Sequence, residues 1–303
     1  MKIAVMGAGA VGCFYGGMLA RGGHEVTLIG RPVHVEAITK RGGLRFESAI
    51  FDGVIPIGAN TNPSAVAGAD VVLFCVKSAD TEEAGQQIAP HLKNDAVVIS
   101  LQNGVDNAER LAAVLKQVVL PSVVYVAAGM GGPGHIQHHG RGDLIIGPSP
   151  RSDDIAKTFA DAAIPTVVSG EVLPRLWDKL IINCAYNALS AIAQLPYGRL
   201  FEVEGTKEVM DSAILECIAV ASELGIAVSP DIREKTYALV KVMPDQYAST
   251  AQDLARGRPT EIDFLNGHIV RKGAEFGIPT PSNLALQVAV KLRELERAGK
   301  APR

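Results

Sequence analysis

The chain opens with a short apolar run, Lys2-Ile3-Ala4-Val5-Met6, that stops at Gly7-Ala8-Gly9-Ala10-Val11-Gly12. A GxGxxG segment that follows a strand and opens a helix has one demanding use, the cradle of a dinucleotide pyrophosphate. The first glycine permits the tight turn, the second lets backbone approach the phosphates, and the third lets helix and strand close together. The helix N-terminus then offers N–H donors and the positive end of its dipole to the phosphates. Gly16 extends the spacing along an expected helix at 10–22, and residues 26–29 form the next β-branched run. Strand, glycine turn, helix and strand within about 30 residues make a βαβ unit.

Further strand-like runs stand at 54–57, 71–76, 96–101 and 118–126, with helical patterns between several of them, as at 81–91 and 106–116. Apolar strands alternating with helices predict a parallel sheet covered on both faces. The Gly- and His-richer stretch 134–147 predicts a β-hairpin closing this domain. Beyond about residue 170 long helical patterns take over, at 173–194, 206–224, 231–242, 261–276 and 282–298. Pro196, Gly225, Pro230, Pro244 and Pro279 separate them. The expected fold is α/β: an N-terminal Rossmann dinucleotide-binding domain over 1–169, followed by an all-α C-terminal domain over 170–303. The short connection implies a fixed cleft between the two, a common place for small-ligand sites.

With 29 basic and 32 acidic residues the net charge is −3, and no basic block occurs. Nucleic acid and anionic membrane surfaces are therefore not expected partners, whereas a small acidic substrate remains compatible. No apolar run reaches the length of about 18 residues that a membrane span needs. Lys2 with the apolar and small residues after it imitates a signal peptide. The glycine spacing accounts for the same residues, so a cytoplasmic protein is expected. Cys13, Cys75, Cys184 and Cys217 are scattered through apolar stretches without a CxxC pair, which predicts buried thiols.

The cofactor is chosen at the end of the second strand. An NAD enzyme usually places Asp or Glu there for the ribose 2′-hydroxyl. This chain has Leu28-Ile29-Gly30-Arg31, and Glu25 precedes the strand at the wrong end. Arg31 suits a 2′-phosphate instead, and Lys77, after the 71–76 strand, could add a second cation. The predicted cofactor is NADP.

In the first long helix of the second domain, Lys179, Asn183, Asn187 and Ser190 are spaced i, i+4, i+8 and i+11 and project from one side. Leu180, Ile181, Ile182, Cys184 and Ala185 around them are core residues. Two asparagines are mediocre helix formers, so their amides suggest a ligand, although spacing alone leaves a solvated face open.

Four segments together resemble the ketopantoate reductase family: the N-terminal glycine turn, Leu101-Gln102-Asn103-Gly104, the helix from Trp177 to Asn187, and Thr260-Glu261-Ile262-Asp263-Phe264-Leu265-Asn266-Gly267. They occur in the family's order over nearly the whole chain. The resemblance implies a Rossmann domain plus an all-α domain, and NADPH-dependent reduction of 2-dehydropantoate to pantoate. It makes Lys179 the catalytic lysine and Asn103 a residue at both nicotinamide and substrate. Asn183 and Asn187 become substrate-binding asparagines, while Glu261 and Ser249 belong to the active-site cleft, Glu261 also touching cofactor. Ala128 matches a cofactor-contacting alanine. His135, His138 and His139 lie where the family has a histidine-containing strand without metal, and no metal is expected. Tyr197 and Gln246 depart from the family pattern at substrate-contacting asparagines. These departures leave reduction intact and keep a different small 2-keto acid as the alternative substrate. A homodimer is one form the assembly could take.

Overall fold

The computed structural model describes residues 1–298, and the chain divides into two compact units, Met1–Val172 and the residues from Leu173 onward. In the first, β1 (Lys2–Met6), α1 (Ala10–Arg21) and β2 (Glu25–Ile29) are followed by α2 (Pro32–Arg41). Next come β3 (Leu44–Ser48), β4 (Phe51–Ile55), β5 (Gly58–Asn60), β6 (Val71–Phe74) and α3 (Thr81–Ile88). The unit continues with β7 (Val97–Ser100), α4 (Asn107–Leu115), β8 (Val119–Gly132), β9 (His135–Ile146), α5 (Ser152–Asp161) and β10 (Thr166–Val168). The strand order is β4-β3-β9-β8-β7-β6-β1-β2-β5, with β10 beside β9.

From β5 to β8 every neighbouring pair is parallel. Alternation along β1 explains the two apolar layers. Ile3 and Val5 join a core with Phe14, Met18 and Leu19 of α1, while Ala4 and Met6 join one with Ala84, Ile88 and Leu111 of α3 and α4. Val71 to Phe74 are all buried, as a parallel strand covered on both faces requires.

The sheet is not parallel throughout. β8 and β9 pair antiparallel, as do β3 and β4. The segment expected to be a hairpin by itself, 134–147, forms a single arm, with β8 as its partner across Pro133-Gly134. Gly140 and Gly142 (φ +150° and +148°) sit where the register slips, so they produce bulges rather than a turn. The run expected at 54–57 falls instead on β4, pairing with β3. Helix α2 lay outside the expectation because it buries little, only His34, Val35 and Ile38. Its boundary signals are nonetheless present, Pro32 in its first turn and Gly42 (φ +78°) at its end. Cys13, Cys184 and Cys217 are buried, while Cys75 is only half-buried, because it lies past the end of β6.

The second unit is helical: α6 (Val172–Ala193) leads into it, then α7 (Tyr197–Leu200), α8 (Thr206–Glu223), α9 (Ile232–Val242), α10 (Ser249–Ala255), α11 (Asn266–Phe276) and α12 (Pro281–Ala298). The helix expected over 261–276 is broken at Leu265 (φ −109°, ψ −102°), leaving one 3-10 turn, Ile262–Phe264, before α11. No helix among the described residues is long and apolar enough to cross a membrane.

Candidate active site

β1, β2, β6 and β7 are adjacent and parallel, so the loops after them share one edge of the sheet. That edge is where doubly wound sheets bind ligands. Gly7 (φ +111°) makes the turn, and a Cβ there would lie 2.7 Å from the carbonyl carbon of Cys75. The Ile29 carbonyl fixes the loop by accepting from the N–H groups of Gly7 at 2.9 Å and Ala8 at 3.0 Å. A Cβ on Gly12 would collide with the Gly7 carbonyl oxygen, so that glycine is required by the fold. Gly9 differs: a Cβ there meets nothing within 4 Å. Its backbone conformation is ordinary (φ −86°), and no side chain caps the α1 N-terminus that it precedes. Open space before an uncapped helix N-terminus fits a pyrophosphate.

Arg31 is exposed directly after β2, where it precedes the first turn of α2. Its guanidinium makes no hydrogen bond or ion pair to a described residue, which leaves it available to a phosphate. Lys77, also exposed, follows β6 on the same edge. Asn103, after β7, rests on a buried polar network. Its carbonyl oxygen accepts from Asn107 Nδ2 at 2.6 Å and Ser78 Oγ at 3.2 Å. Asn107 also donates to Ser78 Oγ and accepts from Thr81 and Arg110. Gln102 bridges Thr81 and Ser100, and Arg110 forks onto Glu82 at 2.7 and 2.6 Å. The sequence reading missed Asn107 and Arg110; the polar residue four places after Asn103, at a helix start, was the available signal.

Ala128 lies on the part of β8 that continues past the end of its pairing with β7, opposite His138. His138 bonds Ser48 Oγ at 2.9 Å and the Arg141 carbonyl, and stacks on Phe14 at 4.4 Å. His135 bonds Glu47 at 2.9 Å. No group of three or more potential ligands among the described residues could hold a metal.

In the second unit, α6 carries Lys179 and Asn183 half-buried, and Asn187 only 2% exposed. Neither asparagine amide bonds a described residue. Asn187 is nearly buried as a residue, yet its amide atoms are not among the sealed polar atoms without a partner, so they stand open to water or a small molecule. Asp178, beside the lysine, is turned to the loop before α9, where it accepts from the Ser229 N–H at 3.0 Å and hydroxyl at 2.5 Å.

Ser190, expected on the polar face, is instead structural. Its hydroxyl donates to the Leu195 carbonyl at 2.7 Å and accepts from the Ala248 N–H at 3.3 Å. That second bond ties the end of α6 to the residue before Ser249, so Ser249 stands exposed in the first turn of α10 at a fixed place.

Glu261, buried to 9% exposure, sits between two clamps from α12. Thr260 is held by Glu294, through its N–H at 2.8 Å and its hydroxyl at 2.6 Å. Asp263 accepts from Gln287 at 2.8 Å and Lys291 at 2.9 Å, and these partners hold its carboxyl below the usual range against the opposing effect of burial. Asn266 reaches the Cys184 carbonyl of α6 at 3.1 Å, and Gly267 admits Gln287, whose Nε2 would be 2.6 Å from a Cβ there. The TEIDFLNG segment is a strap that sets Glu261 by its neighbours.

The two departures from the family pattern meet each other. The Tyr197 N–H donates to the Gln246 carbonyl at 3.0 Å. The Tyr197 ring packs on Tyr186 at 4.4 Å, where burial pushes its hydroxyl up to about 12. The Gln246 amide bonds the next carbonyl, that of Tyr247, at 2.7 Å. Both are used within the protein.

The sheet edge thus presents backbone donors and an exposed guanidinium, and α6 presents an ammonium and two asparagine amides. Residues 3–151 match the family described as ketopantoate reductase PanE/ApbA, and residues 171–294 match its C-terminal counterpart. A 2-dehydropantoate 2-reductase of Pyrococcus horikoshii is 32% identical over 302 residues, covering 97% of this chain and 98% of that protein. Among solved structures, a PanE/ApbA family ketopantoate reductase from Ralstonia eutropha JMP134 superposes with TM-score 0.96 at 53% identity, covering 98% of this chain and 100% of that one. A D-mandelate dehydrogenase solved with NADH and anilino(oxo)acetate gives TM-score 0.90 at 26% identity, covering 98% and 99%.

Proposed function

The chain belongs to the ketopantoate reductase family, and from that premise we propose that it reduces 2-dehydropantoate to pantoate with NADPH as the reductant. The observation that carries this reading is the α6 face, where Lys179 stands in line with two asparagines whose amides the protein leaves unused. A solvated helix face has no need of an asparagine set as deep as Asn187.

The glycine turn, with Gly7, Gly9 and Gly12, would hold the pyrophosphate, Arg31 and Lys77 the 2′-phosphate, and Asn103, Ala128 and Glu261 the nicotinamide end. When bound, the nicotinamide supplies a hydride to the C2 carbonyl carbon of the keto acid. Charge then develops on the carbonyl oxygen, and a cation there stabilises it. Lys179, as the ammonium, fills this role and gives its proton to that oxygen. A positioned general acid contributes about 10²–10⁴-fold. Asn103, on its buried bed, orients the carbonyl, and Asn183, Asn187 and Ser249 take the substrate carboxylate and hydroxyl. Glu261 positions the hydroxyl or Lys179.

The preference for NADPH over NADH rests on the unpaired Arg31 guanidinium and the missing acid after β2. We place the activity in the cytoplasm, in keeping with the free cysteines of the described chain. The test is steady-state oxidation of NADPH against 2-dehydropantoate and a set of smaller 2-keto acids. The highest kcat/KM is expected for 2-dehydropantoate; a tenfold preference for another keto acid would transfer the substrate assignment to it.

A further inference from the structure

Asn266, the first residue of α11, is fully buried, and its side chain does not serve its own helix. Its amide donates instead to the Cys184 carbonyl of α6 at 3.1 Å and to Asn283 Oδ1 at 3.0 Å. Asn283, also buried, dictates which way both amides face. Its Nδ2 donates to the Glu216 carboxylate at 2.7 Å and to the Ala213 carbonyl at 3.1 Å, groups that only accept, so its oxygen must turn to Asn266. Glu216 is fixed in turn by the N–H groups of Ser282 at 2.8 Å and Asn283 at 2.9 Å. An orientation set at the start of α12 thus ends on α6.

The Oδ1 atom of Asn266 is sealed and has no hydrogen-bond partner. An orphaned acceptor destabilises a fold, and an apolar side chain of similar size would avoid it. Nor does the Cys184 carbonyl need the bond, since a mid-helix carbonyl already accepts from the N–H four residues on. Stability therefore does not account for this asparagine.

Its place between two functional segments does. Cys184 stands between Asn183 and Asn187, about 7.5 Å along the helix from Lys179. Asn266 follows Glu261 closely, across the 3-10 turn Ile262–Phe264, and Ile262 and Leu265 anchor that link in the core. We propose that Asn266 is a positioning residue for the reduction, holding the strap that carries Glu261 in register with the helix that carries Lys179. This rests on the roles assigned above to Lys179 and Glu261. A misplacement of about 1 Å costs a reaction up to about a hundredfold, so a bond at this crossing acts on the rate more than on the fold.

Asn266→Leu removes the donor and the orphaned oxygen together. Melting should stay within about 3 °C of wild type and NADPH affinity should not change. The value of kcat should fall at least about tenfold. Asn266→Ser, too short to reach Cys184, should lose rate in the same way if leucine is not accommodated. The deciding measurement repeats the substitution in a Glu261→Gln background. There it should cost less than about threefold, because the strap no longer has a carboxylate to place. A purely structural part would lower the rate equally in both backgrounds. Such additivity, or a folded Asn266 variant with kcat within about twofold of wild type, would overturn the proposal. Turnover that survives Lys179→Ala would overturn instead the reading on which it rests.

Discussion

Asn107 Nδ2 donates to the carbonyl oxygen of Asn103 at 2.6 Å, so a buried residue sets the backbone of one proposed to face a ligand. Asn107 is 3% exposed, and its removal takes one hydrogen-bond partner each from Ser78, Thr81, Arg110 and the Asn103 carbonyl. Asn107→Ala should therefore cost about 1–3 kcal/mol of stability. Activity should fall as well, at temperatures where the variant is fully folded. Lowered Tm with unchanged kcat/KM would confine Asn107 to a structural part.

The same bed is sensitive to acid through Glu82. The hydrogen bond from Arg110 is the largest influence on this carboxyl and holds it below its ordinary value of 4.5. A folded value below the unfolded one stabilises the protein above pH 4.5, and the stabilisation disappears as pH falls through the folded value. Wild type should accordingly melt higher than Glu82→Gln at neutral pH, with the gap closing in acid. A gap that widened on acidification would reverse the assigned sign.

Gly9 and Gly12 separate what the ligand demands from what the fold demands. Gly9→Ala finds open space and an ordinary backbone conformation, so thermal melting should stay within about 1 °C of wild type while dinucleotide binding weakens strongly. Gly12→Ala drives its Cβ into the Gly7 carbonyl and should lower both Tm and binding. If Gly9→Ala bound dinucleotide normally, the phosphates would lie elsewhere.

The parts of this molecule that were legible in the sequence are those carried by local spacing. The glycine turn, the strand-helix alternation to β7 and the long helices each declare themselves within a window of some twenty residues. What stayed hidden depends on partners far apart in the chain. Nothing local joins β3 to β9 across 90 residues, and the long arms of β8 and β9 are set by pairing out to Ser122 and Ile146 rather than by the short turn at Pro133-Gly134 between them. In the candidate site, the i, i+4, i+8 row exposed Lys179, Asn183 and Asn187, but it also included Ser190. Whether a helix hydroxyl meets a ligand or the Ala248 N–H 58 residues away is decided by tertiary contact alone. The bonds of Asn107 to Ser78 and Thr81, and the α12 clamps on Thr260 and Asp263, escaped for the same reason.

Arg31 gives the cofactor preference a direct measure. A charge-assisted contact to a 2′-phosphate is worth about 1.5–3 kcal/mol, so Arg31→Ala should raise the KM for NADPH roughly 10- to 100-fold. The constant for NADH should hardly move, since its ribose offers no phosphate. Stability should also be unaffected, because the exposed guanidinium pairs with no described residue. Equal losses with both dinucleotides would instead assign Arg31 to the shared part of the cofactor or to the loop.

Lys179 is the residue on which the chemistry turns. The ammonium is proposed to meet the carbonyl oxygen as it becomes anionic, so its effect belongs to the transition state more than to the bound substrate. Lys179→Ala should then lower kcat by at least about a hundredfold, with a smaller change in KM for the keto acid and none in NADPH affinity. The helix should survive, since alanine is the best helix former and the replaced side chain is only half-buried. Lys179→Arg keeps the charge but holds its proton too tightly to donate it, and should recover only part of the rate. A variant without the ammonium that turned over at near-normal kcat would leave the proton to another group on the α6 face or in the TEIDFLNG strap.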